Sequence, residues 1–97
     1  MFFTSKHDDF VMELIDRISF KYDDLKTHYP FKISKKSRGE IDVYATRGNE
    51  VDLYEVKCSN RITKAKKQLK RARKCLGKKG NSYFYCGSSG IIQILNI

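Results

Sequence analysis

The sequence predicts one α/β domain, in which helices flank a central mixed sheet in the order α-β-β-β-α-β-β. Two observations lead to this prediction. Apolar residues recur at helical spacing in residues 10–18 and 62–76, and strand-like runs fill the chain between them and after them. The 97 residues suffice for one small core and are too few for two, so residues 1–97 are predicted to form a single domain.

The first helix is predicted to begin at Ser5 and to run to about Ser19. Residues 5–8 fit a capping box, in which a serine side chain satisfies a free backbone N–H of the first turn. Apolar residues then share one helical face, at positions Phe10, Val11, Leu14, Ile15 and Ile18. Residues 20–33 follow as a strand with an irregular or edge portion, because they are rich in aromatic residues and contain the only proline.

The middle of the chain is predicted to be a hairpin. A polar turn at residues 35–39 precedes it, and residues 47–49 close it. Strand periodicity sets the expected faces. On the first strand, one face has Ile41, Val43 and Ala45, and the other has Glu40, Asp42 and Tyr44. On the second strand, one face has Val51, Leu53, Glu55 and Lys57, and the other has Asp52, Tyr54, Val56 and Cys58.

A second helix and two short strands complete the predicted order. The helix is expected to have Ser59 or Asn60 as its N-cap and to stop at Gly77 or Gly80. Its apolar stripe consists of Ile62, Ala65, Leu69, Ala72 and Leu76. The two runs on either side of residues 87–90 then read as adjacent strands.

Positive charge is concentrated in the C-terminal part of the chain. The whole chain has 20 basic and 11 acidic residues, for a formal net charge of +9, and residues 56–97 contain eleven basic residues and no acidic one. A one-sided positive field indicates a polyanionic partner, in most cases nucleic acid, because Lys and Arg contacts to phosphate release condensed counterions. A solubilising surface, or a face for an acidic protein or lipid, is the alternative.

Cysteine spacing and hydropathy exclude several other classes. Cys58, Cys75 and Cys86 are odd in number and lack C-x-x-C spacing, so they indicate neither a zinc knuckle nor a secreted disulfide framework. No apolar run approaches the ~18 residues of a membrane span. Residues 1–9 do not resemble a signal peptide, because acidic residues follow the Phe2-Phe3 pair closely. We therefore expect a reduced, cytoplasmic location.

Two carboxylates and a lysine on the hairpin indicate a metal-binding and catalytic site. Asp42 and Glu55 fall on neighbouring strands that are at least half buried, where an unpaired carboxylate costs several kcal/mol. A hard divalent cation relieves the repulsion of two adjacent carboxylates, which predicts a Mg²⁺ or Mn²⁺ site. Lys57 shares the face of Glu55 and is placed to stabilise charge during phosphodiester hydrolysis. An ordinary cross-strand ion pair is the structural alternative.

These residues also carry a family resemblance. The sequence resembles the PD-(D/E)XK nuclease superfamily, in particular the small archaeal Holliday-junction resolvases. The resemblance lies in Gly39-Glu40-Ile41-Asp42 and, after a hairpin, in Glu55-Val56-Lys57. The likeness covers roughly residues 8–85, and Ile41 stands where the motif's name has proline. It implies a restriction-endonuclease-like core, Mg²⁺ on Asp42 and Glu55, catalytic support from Lys57, and hydrolysis of DNA.

Two further site residues follow from the same resemblance. Many members have an acid near the metal in the first helix, and Asp8 best fits that place; Glu13 is the alternative, and Asp8 could equally serve only its own helix cap. Members often also have a glutamine in the helix after the E-x-K strand, which points to Gln68 as a catalytic helper that orients water or Lys57. His7 and His28 lack metal-ligand spacing, and Glu40, Glu50 and Asp52 are given supporting or solvated roles.

The basic helix is expected to hold the DNA backbone beside this site. Its side chains extend over several turns and suit phosphate contacts better than base recognition. Together with the basic residues before the hairpin, the predicted contacts are Lys35, Lys36, Arg38, Arg61, Lys64, Lys67, Arg71 and Lys74.

The prediction as a whole is a metal-dependent DNA endonuclease. A dimer is expected, because so small a domain would cut two strands with two copies. The resemblance alone implies a preference for branched DNA; double-stranded DNA is the broader expectation. Two alternatives stay open: a non-catalytic nucleic-acid-binding module on the same fold, and a nuclease-like protein that binds another protein through its acidic first helix.

Overall fold

A computed structural model describes residues 5–97 as one five-stranded sheet with a helix on each face. The predicted element order is confirmed, with a 3₁₀ turn at Ser19–Lys21 before the first strand. The Phe2-Phe3 pair considered above lies outside the described residues. The elements are α1 (Lys6–Ile18), β1 (Asp24–Lys32), β2 (Arg38–Arg47), β3 (Glu50–Lys57), α2 (Ile62–Leu76), β4 (Ser82–Cys86) and β5 (Ile91–Leu95).

The sheet is mixed, as predicted, and its strands lie in sequence order from β1 to β5. All neighbours are antiparallel except β3 and β4, which are parallel because α2 crosses over between them. A two-residue turn at Gly48 and Asn49 joins β2 to β3, and Gly48 takes the left-handed φ of 60° that such a turn requires. The proline-containing strand β1 lies at an edge, where a missing N–H is tolerated.

Each helix buries its apolar stripe against one face of the sheet. The α1 face consists of Val11, Leu14 and Ile18 packed on Val43, Ala45, Tyr54, Val56 and Tyr85. The α2 face consists of Ala65, Leu69 and Ala72 packed on Phe31, Ile41, Tyr44, Leu53, Phe84 and others. Both predicted helical stripes and the predicted alternation of β3 are therefore confirmed.

The helix ends agree with the predictions in three of four cases. Ser5 Oγ accepts the Asp8 backbone N–H at 3.0 Å, and Gly77, with a φ of 62°, ends α2. The N-cap predicted for α2 at Ser59 or Asn60 is wrong, because the helix begins after Arg61, which offers no side-chain cap. The reason is a turn in which the Arg61 N–H bonds to the Ser59 carbonyl at 2.8 Å, so that the chain bends once more before the helix starts.

The alternation predicted for β2 is wrong at one point. Ile41 packs on the α2 face, whereas Val43 and Ala45 pack on the α1 face. The cause is an interruption of the β1–β2 pairing at the place opposite His28, whose φ of 51° is left-handed. Asp42 lies at this interruption, and its side chain turns toward β3.

A buried polar network fixes the first part of β3, near Asp52. Asp52 is 2% exposed, so the solvated role considered for it is wrong. It accepts hydrogen bonds from the Tyr22 hydroxyl at 2.6 Å and the Asn81 backbone N–H at 2.8 Å. Arg73, a basic residue of α2, donates to the carbonyls of Val51 and Asn81 at 2.8 and 2.6 Å. The charged side chains of Asp52 and Arg73 therefore stabilise the fold.

The length of the helices and the state of the cysteines bear on the membrane and disulfide classes of protein. Over residues 5–97, neither helix has the length and apolar character needed to cross a membrane. The cysteines are free thiols: Cys86 is buried on β4, Cys58 is half-buried and Cys75 is exposed on α2.

Candidate metal and catalytic site

The site is centred on a gap between β2 and β3. Their regular pairing ends at Val43 and Tyr54, one residue before Asp42 and Glu55. At the next step the backbone N–H of Val56 donates to Asp42 Oδ2 at 2.8 Å instead of to a β2 carbonyl. The Asp42 carboxylate thus takes over the hydrogen bond that the sheet loses, and this holds it beside β3.

Glu55 is the most deeply buried acid of the described residues, with 1% of its surface exposed. Its Oε1 has no hydrogen-bond partner in the described part of the chain. Burial, followed by the charge and hydrogen bonding of Asp42, raises the pKa of Glu55 to about 9, against the opposing effect of Lys57. A buried carboxylate whose pKa is perturbed in this way is typical of functional sites.

Lys57 and Gln68 complete the inner group. Lys57 Nζ lies 3.4 Å from Glu55 Oε2 and donates to Gln68 Oε1 at 3.3 Å. Gln68 Nε2 in turn donates to the Glu40 carbonyl at 3.2 Å, so that α2 is tied to β2 through this amide. The structure therefore brings Asp42, Glu55, Lys57 and Gln68 together.

Asp8 lies farther out than predicted. Its Oδ1 is 4.0 Å from His7 Nδ1 and 3.7 Å from His28 Nε2, and no described contact joins it to Asp42 or Glu55. The alternative acid, Glu13, accepts a long 3.5 Å hydrogen bond from the Tyr85 hydroxyl and is also separate from the pair. Neither Asp8 nor Glu13 is in direct contact with the Asp42–Glu55 group.

His7 is the α1 residue that does reach this group, although its spacing in the sequence did not indicate a metal ligand. Its Nε2 lies 3.3 Å from Asp42 Oδ2 and 3.0 Å from the Val56 carbonyl oxygen. A histidine next to an acidic pair in the first turn of a helix was the only signal in the sequence, and it is weak without the β2–β3 gap. His28, on β1, contacts Asp8 and Glu40 instead.

The chemistry of these donors fits a hard divalent cation. Over residues 5–97, no three His, Cys, Asp or Glu side chains already stand close enough together to hold a metal. What lies at the gap instead is two carboxylates, of which Glu55 has its Oε1 unsatisfied, and the Val56 carbonyl. Mg²⁺ commonly uses one or two carboxylates and fills its other positions with water, so this set is sufficient for it.

A basic groove of about 560 Å³ begins beside Gln68 and separates α2 from the start of β2. An adjoining groove continues along the same helix and shares Ile33 and Arg71 with it. We call the two together the basic groove. Its cationic lining consists of Arg38, Lys64, Lys67 and Arg71 in the first part, and of Lys32, Lys70 and Lys74 in the second.

Five of the eight predicted DNA contacts line this groove, and three do not. Arg38 lies across it from α2, opposite Lys64, Lys67 and Arg71, and Lys74 lies in its second part. Lys35 and Lys36 are exposed in the turn between β1 and β2. Arg61 is exposed at the start of α2.

No family model matches this chain, and no curated protein is significantly similar to it. The geometry of the site and the two short motifs with their family resemblance are therefore what supports a function for this chain.

Proposed function

We propose that this protein is a metal-dependent DNA endonuclease that hydrolyses phosphodiester bonds on a restriction-endonuclease-like core of the PD-(D/E)XK type. The observation that carries the proposal is Glu55. A carboxylate that is 1% exposed, with one oxygen unsatisfied among the described residues, lies against a second acid and a lysine at a break in the sheet. A purely structural ion pair has no need of the second acid, since adding it increases the cost of burial.

Asp42, Glu55 and the Val56 carbonyl would hold the metal, Mg²⁺ or Mn²⁺. When bound, such an ion supplies Lewis-acid chemistry, because it neutralises charge on the scissile phosphate and activates water. Lys57 would contact the phosphate as its negative charge grows, and an ammonium group in a partly buried site is effective for this purpose. Gln68 would position Lys57, because its amide oxygen accepts the Nζ hydrogen while its amide nitrogen is anchored on β2.

The basic groove would hold the backbone of the DNA that enters this site. Lys64 and Lys74 are ten residues apart on α2, which corresponds to about 15 Å of helix. At about 3.4 Å per nucleotide along one strand, that length matches roughly four nucleotides. Gln68 lines the groove and also contacts Lys57, so a strand in the groove leads directly to the catalytic group.

Branched DNA as the preferred substrate and a homodimer as the working form remain predictions of the sequence. The other candidate function, a nucleic-acid-binding module without catalysis, would use the same groove. The acidic pair distinguishes the two, because carboxylates beside a DNA-binding surface repel phosphate unless a cation or a proton neutralises them.

A cleavage assay on a panel of substrates tests the proposal. Linear duplex, single-stranded, flap and four-way-junction DNA are incubated with the protein in Mg²⁺, in Mn²⁺ and in chelator. We expect cutting of at least one substrate in metal and none in chelator. Binding of DNA with no cutting of any substrate in either metal would favour the binding module and overturn the enzyme.

A further inference from the structure

The two edge strands of the described sheet, β1 and β5, differ in composition. β1 has features that keep an edge strand from pairing with another chain: Lys26 and Lys32 are exposed on it, and Pro30 lacks an N–H. The left-handed backbone of His28 also interrupts its extended conformation. β5 consists only of three isoleucines, a glutamine and a leucine, and in the described residues it pairs with β4 alone. Its outer edge is therefore suited to accept another strand.

The part of the chain that contains β5 is apolar and uncharged. Residues 80–97 contain no charged side chain, although 32% of all residues are charged. Ile91 and Ile94 are nevertheless 61% and 60% exposed, and they lie on opposite faces of the strand. Two copies of this chain repel each other through their net charge of +9, so an uncharged surface is where they can approach most closely. The lack of charge thus favours a second copy as the partner, because an acidic protein would be drawn to the basic surfaces instead.

We propose that β5 pairs antiparallel with β5 of a second copy, so that the two five-stranded sheets join into one continuous sheet. Pairing that uses all of Ile91–Leu95 in both copies is centred on Gln93, which then lies opposite Gln93 of the second copy. Ile94 would pack beside Ile92 of the second copy on one face, and Ile91 beside Leu95 of the second copy on the other. Both exposed isoleucines are covered in this arrangement.

The same register relates the two candidate sites to each other. Glu55 on β3 lies opposite Phe84 on β4, and Phe84 lies opposite Gln93 on β5, so these residues share one row across the sheet. Five strand spacings then separate Glu55 in one copy from Glu55 in the other, which is about 24 Å. The two-fold axis between antiparallel strands is perpendicular to the sheet, so both copies have α2 on the same side. A pair of sites for the two strands of one DNA rests on the proposed function, whereas the pairing of β5 does not.

Sedimentation of the full chain over a range of concentrations, without DNA or metal, tests the pairing. We expect a wild-type dimer and at least about tenfold weaker association of Ile94→Lys, because the new ammonium group would be buried against an isoleucine of the second copy. The matched control is Thr27→Lys, which adds the same charge at an exposed position of the other edge strand and should remain a dimer. A monomeric wild type, or Ile94→Lys that associates as the wild type does, would overturn the proposal.

Disulfide cross-linking tests the register with substitutions at exposed positions that add no charge. In a background with Cys58→Ser and Cys75→Ser, which removes the accessible thiols, Gln93→Cys would bring two thiols to opposite positions, where a disulfide can form. Ile91→Cys is the control, because its two copies would lie four residues apart along the strands, about 14 Å. We expect a covalent dimer of Gln93→Cys and none of Ile91→Cys. Equal cross-linking of the two variants, or none of Gln93→Cys, would overturn the pairing.

The outcomes for the pairing and for the nuclease are distinguishable, because association is measured without DNA. A protein that dimerises through β5 and cuts no DNA would overturn the nuclease and leave the pairing intact. Metal-dependent cutting by a protein that stays monomeric would overturn the pairing alone.

Discussion

Asp42 Oδ2 accepts the backbone N–H of Val56 at 2.8 Å, at the position where β2 and β3 stop pairing. This hydrogen bond explains how an acid can be held inside the sheet at that point. It also fixes the acid beside Glu55 and leaves the Val56 carbonyl in contact with His7. The gap in the sheet is therefore the feature that creates the site.

The first prediction separates chemistry from binding at Lys57. Lys57→Ala should lower the rate of DNA cleavage about 100- to 1,000-fold, the usual cost of removing one group that stabilises transition-state charge. Single-turnover cleavage and equilibrium DNA binding are measured on the same protein. Lys66→Ala, which removes an equal charge from an exposed position of α2, should cut normally. Normal cleavage by Lys57→Ala would show that the lysine has no part in catalysis.

The second prediction concerns pH and Glu55. Burial, with Asp42 beside it, raises the pKa of Glu55 from 4.5 to about 9, so the folded protein binds this proton more tightly than the unfolded chain does. The resulting stabilisation is complete below the ordinary pKa and is lost as the pH rises through about 9. In chelator, the free energy of unfolding should therefore decrease across this range, by an amount on the order of a few kcal/mol.

Glu55→Gln should remove most of this pH dependence, because an amide does not ionise. Denaturant unfolding at several pH values measures it, with the exposed Glu50→Gln as the control that keeps the wild-type slope. Addition of Mg²⁺ or Mn²⁺ should stabilise the wild type most at high pH, where the carboxylate is ready to bind a cation. An unchanged slope in Glu55→Gln would mean that this acid is not the buried group responsible.

The third prediction concerns the basic groove. The double variant Arg38→Ala/Lys67→Ala removes one cation from each side of it. DNA affinity should fall, and the slope of log K against log salt should become shallower by about two, since each lost phosphate contact accounts for ~0.9. Lys21→Ala/Lys26→Ala removes the same charge outside the groove and should keep the slope nearly unchanged. Equal effects of the two double variants would indicate a dependence on net charge alone.

The fourth prediction assigns Asp52 to stability. Asp52→Ala leaves the Tyr22 hydroxyl and the Asn81 N–H without their buried acceptor, so the free energy of unfolding should fall by on the order of 3 kcal/mol. Glu50→Ala, on the exposed part of the same strand, should change it by less than about 0.5 kcal/mol. Below its unfolding temperature, Asp52→Ala should still cut DNA. A catalytic defect with intact stability would place this acid in the site instead.

The fold was predictable to the level of its elements, because hydrophobic periodicity is a local signal. The apolar stripes of α1 and α2 determine their faces, and the alternation of β3 follows from its own sequence. The reversal on β2 was not predictable, since it depends on His28 of another strand, which takes a left-handed conformation opposite Asp42. The burial of Asp52 was missed for the same reason, because its partners Tyr22 and Asn81 lie 30 and 29 residues away in the sequence.

The candidate site was likewise predictable where its residues are close in sequence and unpredictable where they are distant. Glu55 and Lys57 are two residues apart on one strand, so their shared face could be read directly, and the hairpin brought Asp42 close to them. His7 could not be found, because its contacts with Asp42 and Val56 span 35 and 49 residues. The basic groove was predicted in outline from α2, but its opposite wall, Arg38 with Phe31 and Ile33, depends on how the β1–β2 turn packs against the helix.

The most direct test of the central claim is single-turnover cleavage by the wild type and by Asp42→Asn, in Mg²⁺ or Mn²⁺ and in chelator. Asparagine keeps an oxygen that can accept the Val56 N–H, so the fold should be retained while the carboxylate is lost. We predict metal-dependent cutting by the wild type, and equal DNA binding without cutting by Asp42→Asn. Cutting by the wild type in chelator, or cutting by Asp42→Asn at the wild-type rate, would contradict the account.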